Sequence, residues 1–215
     1  MLKNIFFDFD GVIADSVNVK TEAFYKIYKK YGKEIAINVA KHHKANGGMS
    51  RYEKFKLYHK KFLGKELSDN QVNELASKFS KLVKQGVIDS PEVPGSHSFL
   101  YKSIDKYNMF VITGTPTNES VEICKSRNIF HCFKGIYGSP EKKDYWCNFI
   151  INKYKLNTEE TIFVGDALAD YSAAVKNNLT FYLREYDENE ELFSNKTNII
   201  RFNNFIEFEE LLNKQ

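Results

Sequence analysis

The chain is poor in cysteine, with three in 215 residues, at positions 124, 132 and 147. An odd number without metal-like spacing, each among apolar neighbours, excludes a disulfide framework and a cysteine zinc site. It predicts reduced, packed thiols. Five histidines make no pattern either. His42 and His43 are adjacent and so point differently, and His97 follows Pro94-Gly95-Ser96 at a helix start, so none is expected to be catalytic. Excess charge is missing too: 31 basic against 28 acidic residues leave a net charge of +3. A protein that tracks a nucleic-acid backbone shows clustered Lys and Arg, so nucleic acid is excluded as a partner. The Lys-rich stretch 54–61 is interrupted by Phe55, Leu57 and Tyr58 and reads as an amphipathic helix with a solvated face. No apolar run has the length of a membrane span. The Met-Leu-Lys-Asn start runs straight into a strand rather than a signal peptide, so a cytoplasmic protein without a membrane partner is expected. Repeats and low-complexity linkers are absent.

Four fragments carry the information that is present: Asp8-Phe9-Asp10-Gly11, Thr113-Gly114-Thr115, Lys142-Lys143, and Gly165-Asp166 through Asp170. Three of them follow short apolar, β-rich runs: Ile5-Phe6-Phe7, Phe110-Val111-Ile112 and Thr161-Ile162-Phe163-Val164. Such runs read as buried parallel strands. In an open α/β sheet, ligands sit outside the carboxyl ends of the strands, so three strands ending in polar residues point to one crevice. Residues two apart on a strand face the same way, so Asp8 and Asp10 can both meet a ligand where the strand ends and Gly11 lets the chain turn.

A carboxylate attacks a dianionic phosphate only where a cation screens the repulsion and the leaving oxygen is protonated. Two carboxylates in different roles are therefore needed. Mg²⁺ takes hard oxygen ligands and keeps several waters, so a few carboxylates suffice, Asp8 and Asp166 being the obvious ones. Asp170 lies one helical turn after Asp166 and can face the same crevice. Thr113 supplies a hydroxyl, and the N–H groups of Gly114 and Thr115 can form a concavity for an anion. A lysine completes the charge balance. Lys142 and Lys143 are both available, and the spacing in Gly138-Ser139-Pro140-Glu141-Lys142-Lys143 favours Lys143.

These four fragments, in this order over positions 8 to 170, resemble the motifs of the haloacid dehalogenase-like hydrolases, in particular the phosphatases with a helical cap of the phosphoglycolate phosphatase and β-phosphoglucomutase type. The resemblance implies a Rossmann-like parallel α/β core, Mg²⁺ as cofactor, and Asp8 as a nucleophile that forms an aspartyl-phosphate. It makes Asp10 the acid that protonates the leaving alkoxide and then the base that activates water, a role suited to a carboxyl held partly protonated. It adds the Asp10 carbonyl to the metal ligands. Dehalogenases of the family lack the second aspartate, so Asp10 favours a phosphomonoesterase acting on a small phosphorylated sugar, polyol or amino alcohol. A phosphosugar mutase is the alternative, and a non-catalytic phosphometabolite-binding protein the third reading. A monomer or small homo-oligomer is expected.

Between the first two motifs the pattern stays helical. Val19, Ala23, Phe24, Ile27 and Tyr31 recur at helix spacing, as do Tyr52, Phe55, Tyr58 and Phe62, then Val72, Leu75, Phe79 and Leu82, until Pro91-Glu92-Val93-Pro94-Gly95 breaks it. The expected organisation is an α/β core of residues 1–15 and 89–215 with an all-helical cap of 16–88 inserted. The core then alternates helix 96–106, strand 108–112, helix 117–127, strand 134–137, helix 143–154, strand 161–164, helix 168–176 and strand 180–183. A last strand near 198–202 and a helix from about 205 follow. Within the cap, Asn46-Gly47-Gly48-Met49-Ser50-Arg51 is expected to set specificity. Two glycines give a turn, Ser50 can cap the next helix, and Arg51 either reaches an anion on the substrate or is a surface base. Ser16 and Lys20 lie where core meets cap and are candidates without an assigned role.

Overall fold

A computed structural model of the chain describes residues 1–214. Six parallel strands form one sheet in the order β3-β2-β1-β4-β5-β6: β1 Asn4–Phe7, β2 Asn108–Pro116, β3 Gly135–Ser139, β4 Thr161–Gly165, β5 Thr180–Arg184 and β6 Ile200–Phe202. The expected α/β parallel core is thus present. Strand order reverses between β1 and β4, which places a topological crevice at the carboxyl end of β1.

The continuous apolar runs are explained by what each face touches. Ile5, Phe7, Met109, Val111, Ile162 and Val164 enter one core, while Phe6, Phe110, Ile112 and Phe163 enter the other. Register aligns Phe6 with Phe110 on one side and Phe163 on the other. Their rings meet edge to face at 5.6 and 6.5 Å, the arrangement that aromatic quadrupoles favour. Helices α5 Ser96–Ser103 and α10 Phe205–Asn213 cover the first face with Phe99, Phe205 and Phe208. Helices α7 Lys143–Tyr154 and α8 Leu168–Lys176 cover the second, with Cys147, Ile150, Ala173 and Ala174. Helix α6 Thr117–Ser126 follows β2, and a single turn, α9 Asp187–Glu190, follows β5.

Four helices are inserted after β1: α1 Val17–Tyr28, α2 Lys33–Ala45, α3 Arg51–Leu63 and α4 Asp69–Asp89. Ser50 caps α3 by accepting the Glu53 N–H, and Ser68 with Gln71 forms a reciprocal capping box on α4, each satisfying otherwise unpaired N–H groups. Phe24 is the hub of their packing, with ring contacts to Phe79 at 4.4 Å, Phe55 at 5.4 Å and Tyr58 at 5.5 Å. The stripe expected on α4 is corrected: Leu82 is 46% exposed, and Val72, Ala76, Phe79, Val83 and Val87 are the buried residues. The buried positions are spaced 4, 3, 4 and 4 apart, one face of a 3.6-residue period, in place of the 3-4-3 spacing expected.

The chain leaves the core and returns side by side. Val93 donates to the Ile13 carbonyl at 3.0 Å and Asp15 to that of Pro91 at 2.9 Å. Cys124, Cys132 and Cys147 are free and buried. Among the described residues, no helix is long and apolar enough to cross a membrane.

Candidate active site

The end of β1 supplies the first two groups. Asp8 Oδ1 accepts the Phe9 N–H at 2.7 Å and lies 2.8 Å from the Lys143 ammonium. At Gly11 the backbone has φ +80°, and a Cβ there would collide with the Asp166 carboxylate; the expected turn glycine is thus required twice, by conformation and by space.

Lys143 at the start of α7 bridges Asp8 and Asp170, 2.5 Å from the latter's Oδ1. Lys142 is 72% exposed and faces Glu53 at 3.8 Å. The two lysines are placed differently: residue 143 is buried at the sheet end and residue 142 faces solvent. Asp170 Oδ2 accepts the N–H groups of Asp166 and Ala167 at 3.2 and 3.0 Å. Asp170 therefore ties the β4–α8 turn and positions Lys143. Thr113 Oγ1 accepts the Thr115 N–H at 3.2 Å, and Gly114 and Thr115 line the same pocket as Asp8 and Asp10.

Ser16 and Lys20 acquire a role. Ser16 Oγ donates to Asp10 Oδ1 at 2.6 Å, and Lys20 Nζ pairs with Asp10 Oδ2 and donates to Thr115 Oγ1 at 2.6 Å. This corrects one expectation. Burial alone raises the pKa of Asp10, but the Lys20 ammonium and the Ser16 hydrogen bond outweigh it and hold the carboxyl below its ordinary value, the opposite direction from the partly protonated carboxyl expected.

Asp8 behaves oppositely. Burial, with Asp170 and Asp10 adding to it against the pull of Lys143, pushes it up to about 7. Asp166 is raised well above the carboxylate range by burial, then by Asp8 and Asp170. Carboxylate oxygens of Asp8, Asp166 and Asp170 lie within 4.8 Å of one another, all buried. One ammonium does not balance three carboxylates, and the residual negative charge, borne by hard oxygens, fits a divalent cation.

Two residues that sequence reasoning missed hold Asp166: Tyr186 donates its hydroxyl to Oδ2 at 2.8 Å, and Asn189 donates to the Asp166 carbonyl at 2.9 Å. They fall in a stretch without periodicity, and the signal that could have found them is position alone, just past the carboxyl end of β5.

The cap roofs the site. Gly48 has φ +76°, and a Cβ on it would stand 2.9 Å from the Ala169 Cβ and 3.4 Å from Lys143 Nζ. The glycine pair thus permits close approach, beyond the flexible turn expected of it. The pocket under this roof spans about 720 Å³, part of it open to solvent.

Arg51 corrects a second expectation. Its guanidinium is 4% exposed and grips Glu119 of α6 bidentately at 2.8 and 2.7 Å, with Ser80 of α4 at 2.5 Å. It is neither a surface base nor a free cation: the anion that it reads is a core side chain. Lys54 corrects a third. Expected on a solvated face, it is 2% exposed and lines the pocket, its Nζ 2.6 Å from His43 Nδ1.

Fold and site together define a class: a capped, open parallel α/β protein with paired aspartates at the end of its first strand. The sequence places the chain within that class. Residues 5–183 match the model of the haloacid dehalogenase-like hydrolases, and the chain belongs to that family. No curated protein matches the sequence significantly. Among solved structures, a protein described as a predicted phosphatase from Clostridium acetobutylicum is 21% identical, with a TM-score of 0.79 and all of both chains covered. A haloacid dehalogenase-like hydrolase from Streptococcus pneumoniae is 22% identical, with a TM-score of 0.71, covering 100% of this chain and 99% of that one. A β-phosphoglucomutase from Clostridium difficile is 18% identical, with a TM-score of 0.78, covering 100% and 97%. These likenesses establish the fold.

Proposed function

We propose that the protein is a Mg²⁺-dependent phosphomonoesterase acting through an aspartyl-phosphate on Asp8. The observation that carries this reading is the buried Lys143 ammonium set between Asp8 and Asp170 with Asp166 adjoining, a cation and an acidic cluster converging on one carboxylate. Asp8, Asp166 and the Asp10 carbonyl would hold Mg²⁺, which when bound neutralises the repulsion between carboxylate and phosphate.

In the first step an Asp8 oxygen bonds to phosphorus while the ester P–O bond breaks, and the departing alkoxide takes a proton from Asp10. Asp10 is held below its ordinary value in the free site, so it takes that proton up from solvent water as the phosphate dianion enters beside it and raises its proton affinity. In the second step Asp10 takes a proton from water, the hydroxyl oxygen bonds to phosphorus, and Asp8 leaves as a carboxylate. Ser16, Lys20 and Thr115 keep the Asp10 carboxyl pointed at the reacting oxygen in both steps. Thr113, the Gly114 and Thr115 amides, and Lys143 hold the transferred oxygens.

A panel of phosphate esters in Mg²⁺, read by released inorganic phosphate with Asp8→Asn as control, tests the reading. Release by the wild type alone supports it. An isomerised phosphosugar with no free phosphate would replace it with the mutase, and binding without turnover would leave a phosphometabolite-binding protein.

A further inference from the structure

The roof contains a buried cation whose anion is missing. Two basic side chains of α3 enter the space beneath it, and they differ in one respect. Arg51 has Glu119; Lys54, three residues on, has no carboxylate in ion-pair distance among the described residues. Its one polar partner is His43 Nδ1, and the ring of Phe24 lies 5.7 Å from its Nζ. An ammonium has three donors and one goes to His43, leaving two. An amine buried among apolar and basic neighbours is costly to keep protonated without a partner, and an oxyanion arriving with a ligand would supply that partner. Lys54 and His43 line the same pocket as Asp8, Asp10 and Thr115. A substrate with its phosphate on Asp8 therefore lies in the same pocket as this pair.

We infer that Lys54, braced by His43, is a subsite for an oxyanion on the leaving portion of the substrate, a carboxylate or a second phosphate. This deepens the phosphomonoesterase reading and rests on it. It also narrows the substrate class: an amino alcohol would bring an ammonium against an ammonium and is disfavoured, and a neutral polyol would leave the cation uncompensated. Burial and the nearby Lys20, against the attraction of Asp10, push the pKa of Lys54 down to about 7, and burial and Lys54 hold His43 well below its ordinary value. Both directions agree with two bases sharing one buried site that lacks an acid.

The test uses two-carbon esters that differ only in the far group: phosphoglycolate, ethane-1,2-diol bisphosphate, 2-hydroxyethyl phosphate and phosphoethanolamine, each with wild type, Lys54→Met, Lys54→Arg and His43→Gln. The wild type is expected to prefer an anionic ester over the hydroxyethyl ester by about 10- to 100-fold in kcat/KM, the scale of one charge-assisted hydrogen bond. Lys54→Met should collapse that ratio at least tenfold and Lys54→Arg restore part of it. The better of the two anionic esters distinguishes carboxylate from phosphate.

A second arm needs no turnover. Calorimetry in Mg²⁺ compares 3-phosphonopropionate with 3-hydroxypropylphosphonate, and the wild type should bind the former at least tenfold more tightly, an advantage lost in Lys54→Met. No anion preference in either arm, or equal losses on every ester in Lys54→Met, overturns the subsite. Anion-selective binding without phosphate release from any ester supports the subsite and defeats the phosphomonoesterase reading instead.

Discussion

The floor and the roof of the pocket carry opposite imbalances. On the floor, Asp8, Asp10, Asp166 and Asp170 outnumber Lys143 and Lys20, and the deficit is positive charge. In the roof, Arg51 is neutralised by Glu119 of the core while Lys54 and His43 have no acid, and the deficit is negative charge. A bound Mg²⁺ would answer the first deficit, and an oxyanion at the far end of the substrate the second. The floor is built from strand ends and the helix starts that follow them, the roof from helices alone; on the proposed reading the first would take the phosphoryl group and the second whatever the phosphate is attached to.

The largest expected effect breaks the floor. Asp8→Asn keeps the shape but removes the proposed nucleophile, and should lower phosphate release by at least about 10⁴-fold, the scale seen when a covalent nucleophile is lost, with an unchanged circular-dichroism spectrum. Near-normal release would remove the covalent step. Trapping a phosphorylated Asp8 in Asp10→Asn would separate the two half-reactions.

Breaking the roof should show in stability. Arg51→Met leaves Glu119 buried without its cation and is expected to cost about 3–5 kcal/mol by denaturant unfolding. Lys54→Met removes a cation that has no carboxylate, so its melting temperature should equal or exceed the wild type's. If both variants lost the same stability, the distinction between a paired and an unpaired roof cation would fail.

Lys143→Ala should reduce kcat about 10²- to 10³-fold, as loss of one positioned electrostatic group does, whereas Lys142→Ala stays within about twofold, as an exposed pair contributes little. The reverse order would reassign the motif lysine.

Titration sharpens the comparison further. Asp8 is raised from its ordinary 3.8 to about 7, so without metal its contribution to stability is fully present below its unfolded pKa and lost as pH rises through about 7. On the proposed reading Mg²⁺ would take the place of that proton. The thermal shift caused by Mg²⁺ should therefore grow between about pH 4 and 7, and a flat profile would mean that Asp8 does not hold the metal. Asp10, lowered by Lys20 and Ser16 despite its burial, has the opposite sign: its contribution is present at neutral pH and is lost only as acid titrates it.

The smallest effect lies on the cap surface. Leu82→Glu on exposed α4 should change stability by less than about 0.5 kcal/mol, while Val83→Ala one position along should cost about 1–2 kcal/mol. Equal costs would restore the stripe predicted from spacing.

Much of the floor was legible in the sequence because its determinants are local. A four-residue apolar run can be read as a strand buried on both faces, a two-residue spacing puts Asp8 and Asp10 on one side, and a four-residue spacing puts Asp170 beneath Asp166. Period and chain direction are properties of the backbone and need no partner. The roof was not legible because charge pairing across a fold has no local signature. Arg51 and Glu119 are 68 residues apart, and Lys54 and His43 belong to different helices. Local chemistry allowed Arg51 to be a substrate reader and Lys54 a solvated base. Only the packing of α2, α3 and α4 over the strand ends assigned one a core carboxylate and left the other without one. The same holds for Asp10, whose spacing put it beside Asp8 and for which the family resemblance implied an acid, but whose titration depends on Lys20 being folded back against it. Sequence by itself determined which residues could do chemistry and on which strand ends they stand, because backbone geometry repeats at fixed intervals. Tertiary structure decided which charges are already spent, because a charge's environment is set by whichever distant side chains close packing brings within about 4 Å of it.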